Sequence, residues 1–223
     1  MADFYAGLDL GQSQDWTALA IVQRHGPAGG AAYHVRHLER PELGTPYPAV
    51  VETVAARVRA LRSAVPPPTV VLVVDKTGVG APVVDMFRRA ALGVPLTAVT
   101  ITGGNAVARD GEDVHVPKRD LVSTLQVLLQ SGRLKVAAGL PLAHVLTKEL
   151  TNFRVTIALN GHDGYGAGTE SAWREAGTND DLVLAVALAC WVAENKEDRR
   201  ATIGSYLASD DDDDRGPGPA YWA

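Results

Sequence analysis

The stretch Val70-Val71-Leu72-Val73-Val74-Asp75, followed at once by Lys76-Thr77-Gly78-Val79-Gly80, decides how the rest of the chain folds. An unbroken, mostly β-branched aliphatic run suits a strand buried on both faces, because neither side of it meets water. It begins after Pro66-Pro67-Pro68 and stops at a carboxylate, and the two glycines behind that carboxylate make a tight turn. Ala81 to Leu92 then reads as a helix and Leu96 to Ile101 as a further strand. A strand, loop, helix, strand unit of this kind implies a sheet with a parallel centre.

Upstream, Phe4 to Leu10, Thr17 to Arg24 and Ala31 to Leu38 are β-leaning runs separated by short turn signals, the pattern of an antiparallel meander. Pro48 to Arg62 places Val50, Val51, Val54, Val58 and Leu61 at helical spacing, so an amphipathic helix is the first crossover. Downstream, Pro117 to Leu129 carries Leu121, Leu125 and Leu128 on one stripe and ends at Gly132. A short strand at Leu134 to Val136, a helix at Leu142 to Asn152 and an extended stretch at Phe153 to Leu159 follow. Asn160 to Gly168 reads as a glycine-rich hairpin turn or loop, and Asn179 to Glu194 as the last helix. The expected fold class is α/β, a mixed central sheet flanked by helices.

A chain of 223 residues makes one large domain or two very small ones, at roughly 100 to 200 residues per domain. Its 46% hydrophobic and 21% charged residues exclude a largely disordered or fibrous chain. The lone Cys190 cannot form an internal disulfide, so nothing marks an oxidising compartment and a cytoplasmic setting is expected. The start lacks a basic segment before an apolar run, and Leu182 to Ala193 is too short to cross a bilayer. Four of the five net negative charges come from Asp210 to Asp214 with Arg215, which leaves the body near neutral. A near-neutral body argues against coating nucleic acid by bulk charge, but it permits a short local footprint on DNA. The expected organisation is a folded domain over 1–200 and an acidic, disordered tail over 201–223.

The chemistry lies in the carboxylates. Asp9 sits between Leu8 and Leu10 at the end of an apolar strand, and Asp75 ends the most apolar strand of the chain. An ionised carboxylate in such a place is costly unless it is paired or holds a cation. Asp180 and Asp181 open an apolar helix. Taken singly, a strand-end aspartate also serves as an acceptor for turn amides, and Asp180 as a helix N-cap. If the strands of Asp9 and Asp75 are neighbours and the last helix starts at their ends, the carboxylates converge. An all-oxygen cluster suits two Mg²⁺ or Mn²⁺ ions, which activate water and stabilise a departing phosphate-ester oxygen.

Gly7-Leu8-Asp9-Leu10-Gly11 with Asp15-Trp16-Thr17, then Asp75-Lys76-Thr77-Gly78-Val79-Gly80, then Asn179-Asp180-Asp181 before an alanine-rich helix, resemble the C-terminal nuclease domain of phage terminase large subunits. The resemblance spans roughly residues 4 to 195 and implies an RNase H-like fold (ribonuclease H/resolvase type). It also implies a metal-dependent endonuclease that cuts double-stranded phage DNA during genome packaging, in the cytoplasm of a bacterial host. Residue by residue, it casts Asp9 as the carboxylate bridging both metals, Asp75 as the ligand on the adjacent strand and Asp181 as the ligand from the last helix. Asp180 and Asp15 become auxiliary ligands or acceptors for metal-bound water. Relatives commonly have His where this chain has Asn179, and many have Asp where it has Leu184. The Gly-x4-Gly-Lys-Ser/Thr loop of an ATPase is missing, so the resemblance implies a partner motor domain or subunit and, through it, the portal of a procapsid.

Lys118, Arg119, Arg133 and Lys135, with Arg88 and Arg89, are candidates for phosphate contacts, the other reading being solvated surface charge. The histidines show no zinc spacing, and His34 and His37 are expected on opposite faces of a strand. Two other enzymes share part of the pattern. One is a Holliday-junction resolvase. The other is an actin-like ATPase or sugar kinase, whose first phosphate-binding hairpin Gly7 to Ser13 also resembles, although it has no use for the Asp180-Asp181 helix start. A non-catalytic packaging module would keep the fold without cleavage.

Overall fold

The computed structural model describes residues 3–11, 15–27, 30–111, 113–152 and 180–195. The extended stretch and loop expected over 153–168, Asn179 and the acidic tail over 201–223 lie outside the described residues. Three strands open the chain: β1 (Asp3–Asp9), β2 (Ala18–His25) and β3 (Ala32–Glu39). After α1 (Tyr47–Arg62) come β4 (Thr69–Asp75), α2 (Gly80–Arg89) and β5 (Leu96–Thr102). A small hairpin of β6 (Ala108–Asp110) and β7 (Asp113–Pro117) leads into α3 (Lys118–Gln130). Then β8 (Leu134–Val136), α4 (Ala143–Asn152) and α5 (Asp181–Glu194) complete the described elements.

These strands form a mixed sheet in the order β6-β7-β5-β4-β1-β2-β3-β8. β1 runs antiparallel to β2 and parallel to β4, with Leu8 opposite Val74, so the two strands end side by side. The expected meander and the parallel centre are both present. Alternation along each strand then sorts side chains between two cores. Ala6, Leu8, Val70, Leu72 and Val74 face α1 and α2. Tyr5, Val71 and Val73 face the other way, toward α3, α4 and α5. By the same period of two, Asp9 and Asp75 belong to the second face.

α5 is apolar all round, and Leu182 through Ala193 are buried without exception. Such a helix needs neighbours on every side. It lies on β1 and β2, with α3 and α4 packed against it. Its first residue, Asp181, therefore starts beside the strand ends.

Two features depart from the sequence reading. The β6–β7 hairpin was not expected, because its strands are short and β6 is exposed throughout. Its signal was Gly111, at φ +58°, which opens the two-residue connection between the paired Asp110 and Asp113. His34 and His37 also share one face of β3, contrary to expectation. The β2–β3 register slips between Ile21 and Val22, so that Val22 pairs with Val35 and Ile21 with His37. The extra residue, Arg36, restores both histidines to the same side.

Candidate functional site

Each carboxylate reaches the site by a different local route. Asp9 ends β1, where Thr17 Oγ1 accepts the Gly11 N–H at 3.2 Å and ties the departing chain to the start of β2. Asp75 ends β4 and accepts the Thr77 N–H through Oδ1 at 2.8 Å, while Thr77 Oγ1 accepts the Ile101 N–H at 2.8 Å. The turn role open to a strand-end aspartate is thus filled by Asp75, yet the residue also touches Asp9, since the two carboxyls share a hydrogen bond. Asp180 and Asp181 arrive from the start of α5. Asp9, Asp75 and Asp181 are each 7% exposed, which is rare for carboxylates and demands compensation.

Burial, then repulsion from Asp75, Asp181 and Asp180, holds the Asp9 carboxyl well above the ordinary carboxylate range. Asp75 is also raised by burial, but less freely, because Thr77, the Asp9 hydrogen bond and the Lys118 ammonium favour its charged form. Asp181 is pushed up to about 7, chiefly by burial; Arg40 opposes the shift, and Asp180, Glu149 and Asp15 add to it. Four aspartates therefore sit in one another's fields, with Asp15 felt from its exposed position in the β1–β2 connection.

Two cations share the acidic ground. Lys118 Nζ lies 3.2 Å from Asp180 Oδ2. Arg40, just beyond β3, donates through Nη2 to Asp181 Oδ2 at 3.0 Å and also to Glu149 Oε1. Neither aspartate makes a side-chain cap for α5. Instead Glu149 Oε2, from α4, accepts the N–H groups of Leu182 and Val183 at 3.1 and 3.2 Å. Arg40 and Glu149 were absent from the sequence reading. Glu149 had a signal, for it falls on the apolar stripe of Leu142, Val145, Leu146 and Leu150, where a carboxylate has no reason to be unless it is used.

The other basic candidates separate. Arg119 is turned to the Asn105 carbonyl at 2.6 Å. Arg133 pairs with Glu194 at 2.6 Å, at the far end of α5, which is about 20 Å from its start at 1.5 Å per residue. There it acts as a bolt between β8 and the last turn of the helix, with Tyr33 bonded to the same carboxylate. Lys135 is exposed on β8, opposite His34. Of the four, only Lys118 stands among the carboxylates.

An all-oxygen donor set with surplus negative charge suits a hard divalent cation. Among the described residues, no three acidic, histidine or cysteine side chains converge into a finished ligand set. The aspartates of α5 are drawn toward Arg40 and Lys118, and Asp9 and Asp75 share a hydrogen bond. A cation would offset the charge of Asp9 and Asp75 and draw in the α5 carboxylates, so the residues fit such an ion.

A pH dependence of stability follows. Carboxyls raised in the folded state bind protons that the unfolded chain releases near 3.8, so they favour the fold below that value and lose that contribution as pH rises through about 7. Denaturant unfolding in EDTA is expected to show a less stable protein at pH 8 than at pH 5, with Mn²⁺ reversing the loss at pH 8. Equal stability at both pH values in EDTA would contradict the cost of burying these carboxylates in their ionised form.

A family profile described as the terminase RNaseH-like domain matches residues 6–191. Among solved structures, the human cytomegalovirus terminase nuclease domain is similar at a TM-score of 0.55 and 16% identity, over 89% of this chain and 86% of that one. Its Mn-soaked form gives 0.53 and 14% identity over 84% and 82%. Thermus thermophilus RuvC gives 0.42 and 17% identity over 86% and 94%. A comparison with curated proteins returns no match. With 186 of its 223 residues inside the profile and a mixed α/β sheet to match, the chain belongs to the terminase RNaseH-like domain family.

Proposed function

We propose that this chain is a divalent-metal-dependent endodeoxyribonuclease that cleaves double-stranded DNA during genome packaging. The observation that carries the reading is that three buried carboxylates, Asp9, Asp75 and Asp181, stand at the ends of β1 and β4 and the start of α5, close enough that Asp75, Asp181 and the half-buried Asp180 all act on the Asp9 carboxyl. Asp9, Asp75 and Asp181 are assigned as catalytic metal ligands, with Asp180 and Asp15 as auxiliary ones. Two Mg²⁺ or Mn²⁺ ions bound there would supply an activated water and charge stabilisation at the leaving oxygen. The chain's own part is to hold the carboxylates at fixed strand and helix ends. Thr77 fixes the Asp75 rotamer, and Lys118 offers a positive charge at the rim to a phosphate.

The near-neutral body supplies few phosphate contacts, which fits a domain brought to DNA by an ATPase motor docked on a portal. Such a partner would work in the cytoplasm of the bacterial host. No helix among the described residues is long and apolar enough to cross a membrane.

The test is supercoiled plasmid incubated with the protein in Mn²⁺, Mg²⁺ or EDTA. Nicked and linear products are expected with either ion, Mn²⁺ being at least as effective, and none in EDTA. Intact plasmid in both ions, with folded protein, would remove the nuclease reading.

A further inference from the structure

We propose that Arg40 and Glu149 form a fixed clamp that presents the Asp181 carboxylate to the divalent cation, making both of them positioning residues; the inference rests on the nuclease reading above. Arg40 is nearly enclosed, with 11% of its side chain exposed, and Trp16 lies with its ring centre 5.8 Å from the guanidinium. Its Nη2 bridges Glu149 and Asp181. Glu149 is held in turn by two backbone N–H groups of the first turn of α5. The start of a helix leaves N–H groups without partners, and here a carboxylate from another helix takes two of them. One side chain thereby caps α5 and anchors the arginine that grips Asp181.

The position of Asp181 is consequently fixed by α4 and by the chain after β3, not only by the segment that leads into α5. A planar guanidinium holds direction as well as charge, which an ammonium does not. Arg40 engages a single oxygen of Asp181, Oδ2. A carboxylate held in that way can ligate a cation through its other oxygen, with its orientation already set. Were Arg40 only a nearby positive charge, removing it would tighten cation binding. As a positioning residue, its loss weakens it.

The measurement is Mn²⁺ titration calorimetry on metal-free protein, with circular dichroism to verify the fold. Arg40→Lys, which keeps the charge and loses the planar guanidinium that carries Nη2, is expected to weaken Mn²⁺ binding about tenfold, the usual size of a lost contact behind a metal ligand. Glu149→Gln keeps an oxygen for the Leu182 and Val183 N–H groups but loosens Arg40, and should weaken binding similarly; it decides the matter if Arg40→Lys does not fold. In an Asp181→Asn background either change should add less than about twofold, because the effect passes through Asp181. Wild-type affinity in folded single variants, tighter binding, or full additivity with Asp181→Asn would overturn the clamp while leaving the nuclease reading intact. A wild-type protein that binds no Mn²⁺ would overturn the metal reading and the clamp together.

Discussion

Asp9→Asn is expected to abolish DNA cleavage while leaving the metal-free protein folded and more stable than wild type at pH 8. Asp9 is buried, and the fields of Asp75, Asp181 and Asp180 also fall on it, so its ionised form is costly when no cation is present. Asparagine removes that charge at almost no change in shape. Each kcal/mol of repulsion relieved raises the unfolding temperature by roughly 2–4 °C in a domain of this size. The same substitution removes the oxygen proposed as the central metal ligand, and metal stabilisation of the transition state is worth several kcal/mol, about 10³-fold in rate. Opposite signs for stability and activity separate a site residue from a folding residue. Asp75→Asn should be equally inactive, since the amide can still accept the Thr77 N–H and keep the turn. Asp181→Asn should match them, and Asp180→Asn or Asp15→Asn should be milder. An inactive Asp180→Asn beside an active Asp181→Asn would exchange the roles of the two helix residues. Plasmid cleavage in Mn²⁺ and thermal unfolding in EDTA measure both effects.

The sequence exposes the parts of this site that depend on local pattern. A continuous aliphatic run ending in Asp75 reads as an inner strand, and an apolar helix opening with two aspartates as a buried one; their carboxylates come together if β1 and β4 are neighbours and the helix starts at their ends. The period of two does the rest, placing Asp9 and Asp75 on the face that α5 covers. What the sequence conceals are links made across long separations. Arg40 reaches Glu149 over 109 residues and Asp181 over 141, and no local spacing announces either contact. The slip at Arg36 was hidden for a different reason: a bulge inserts one residue without changing composition, and it reverses every face assignment beyond it. The basic residues were the least legible, because charge alone does not distinguish Lys118 at the carboxylates from Arg133 bolting the far end of α5. Only the position of an acidic partner separates them.

The second large effect is expected from Gly7→Ala, a residue with no chemistry of its own. A Cβ at Gly7 would stand 2.0 Å from the Ala185 carbonyl oxygen and 3.1 Å from the Ala189 nitrogen, both backbone atoms of α5. No rotamer change can relieve a clash with helix backbone, so α5 itself must lift from β1. Overpacking of a buried contact costs about 1–3 kcal/mol and occasionally more, and this site belongs at the upper end because the obstruction is rigid. The displacement also goes directly to the chemistry. Gly7 is two residues before Asp9 on the same face of β1, and Ala185 is about one helical turn after Asp181. Moving one against the other separates the carboxylates proposed to share a cation, and a misplacement of about 1 Å costs on the order of 10²-fold in rate. Cleavage at saturating Mn²⁺, under conditions where the variant is fully folded, should therefore fall by far more than its lost stability explains. Gly30→Ala is the control, since a Cβ there meets nothing within 4 Å, and it should leave both denaturation midpoint and rate unchanged. A Gly7→Ala protein with wild-type midpoint and wild-type cleavage would mean that α5 is not seated on β1, and that the carboxylates meet by some other route than the small-residue contact between strand and helix.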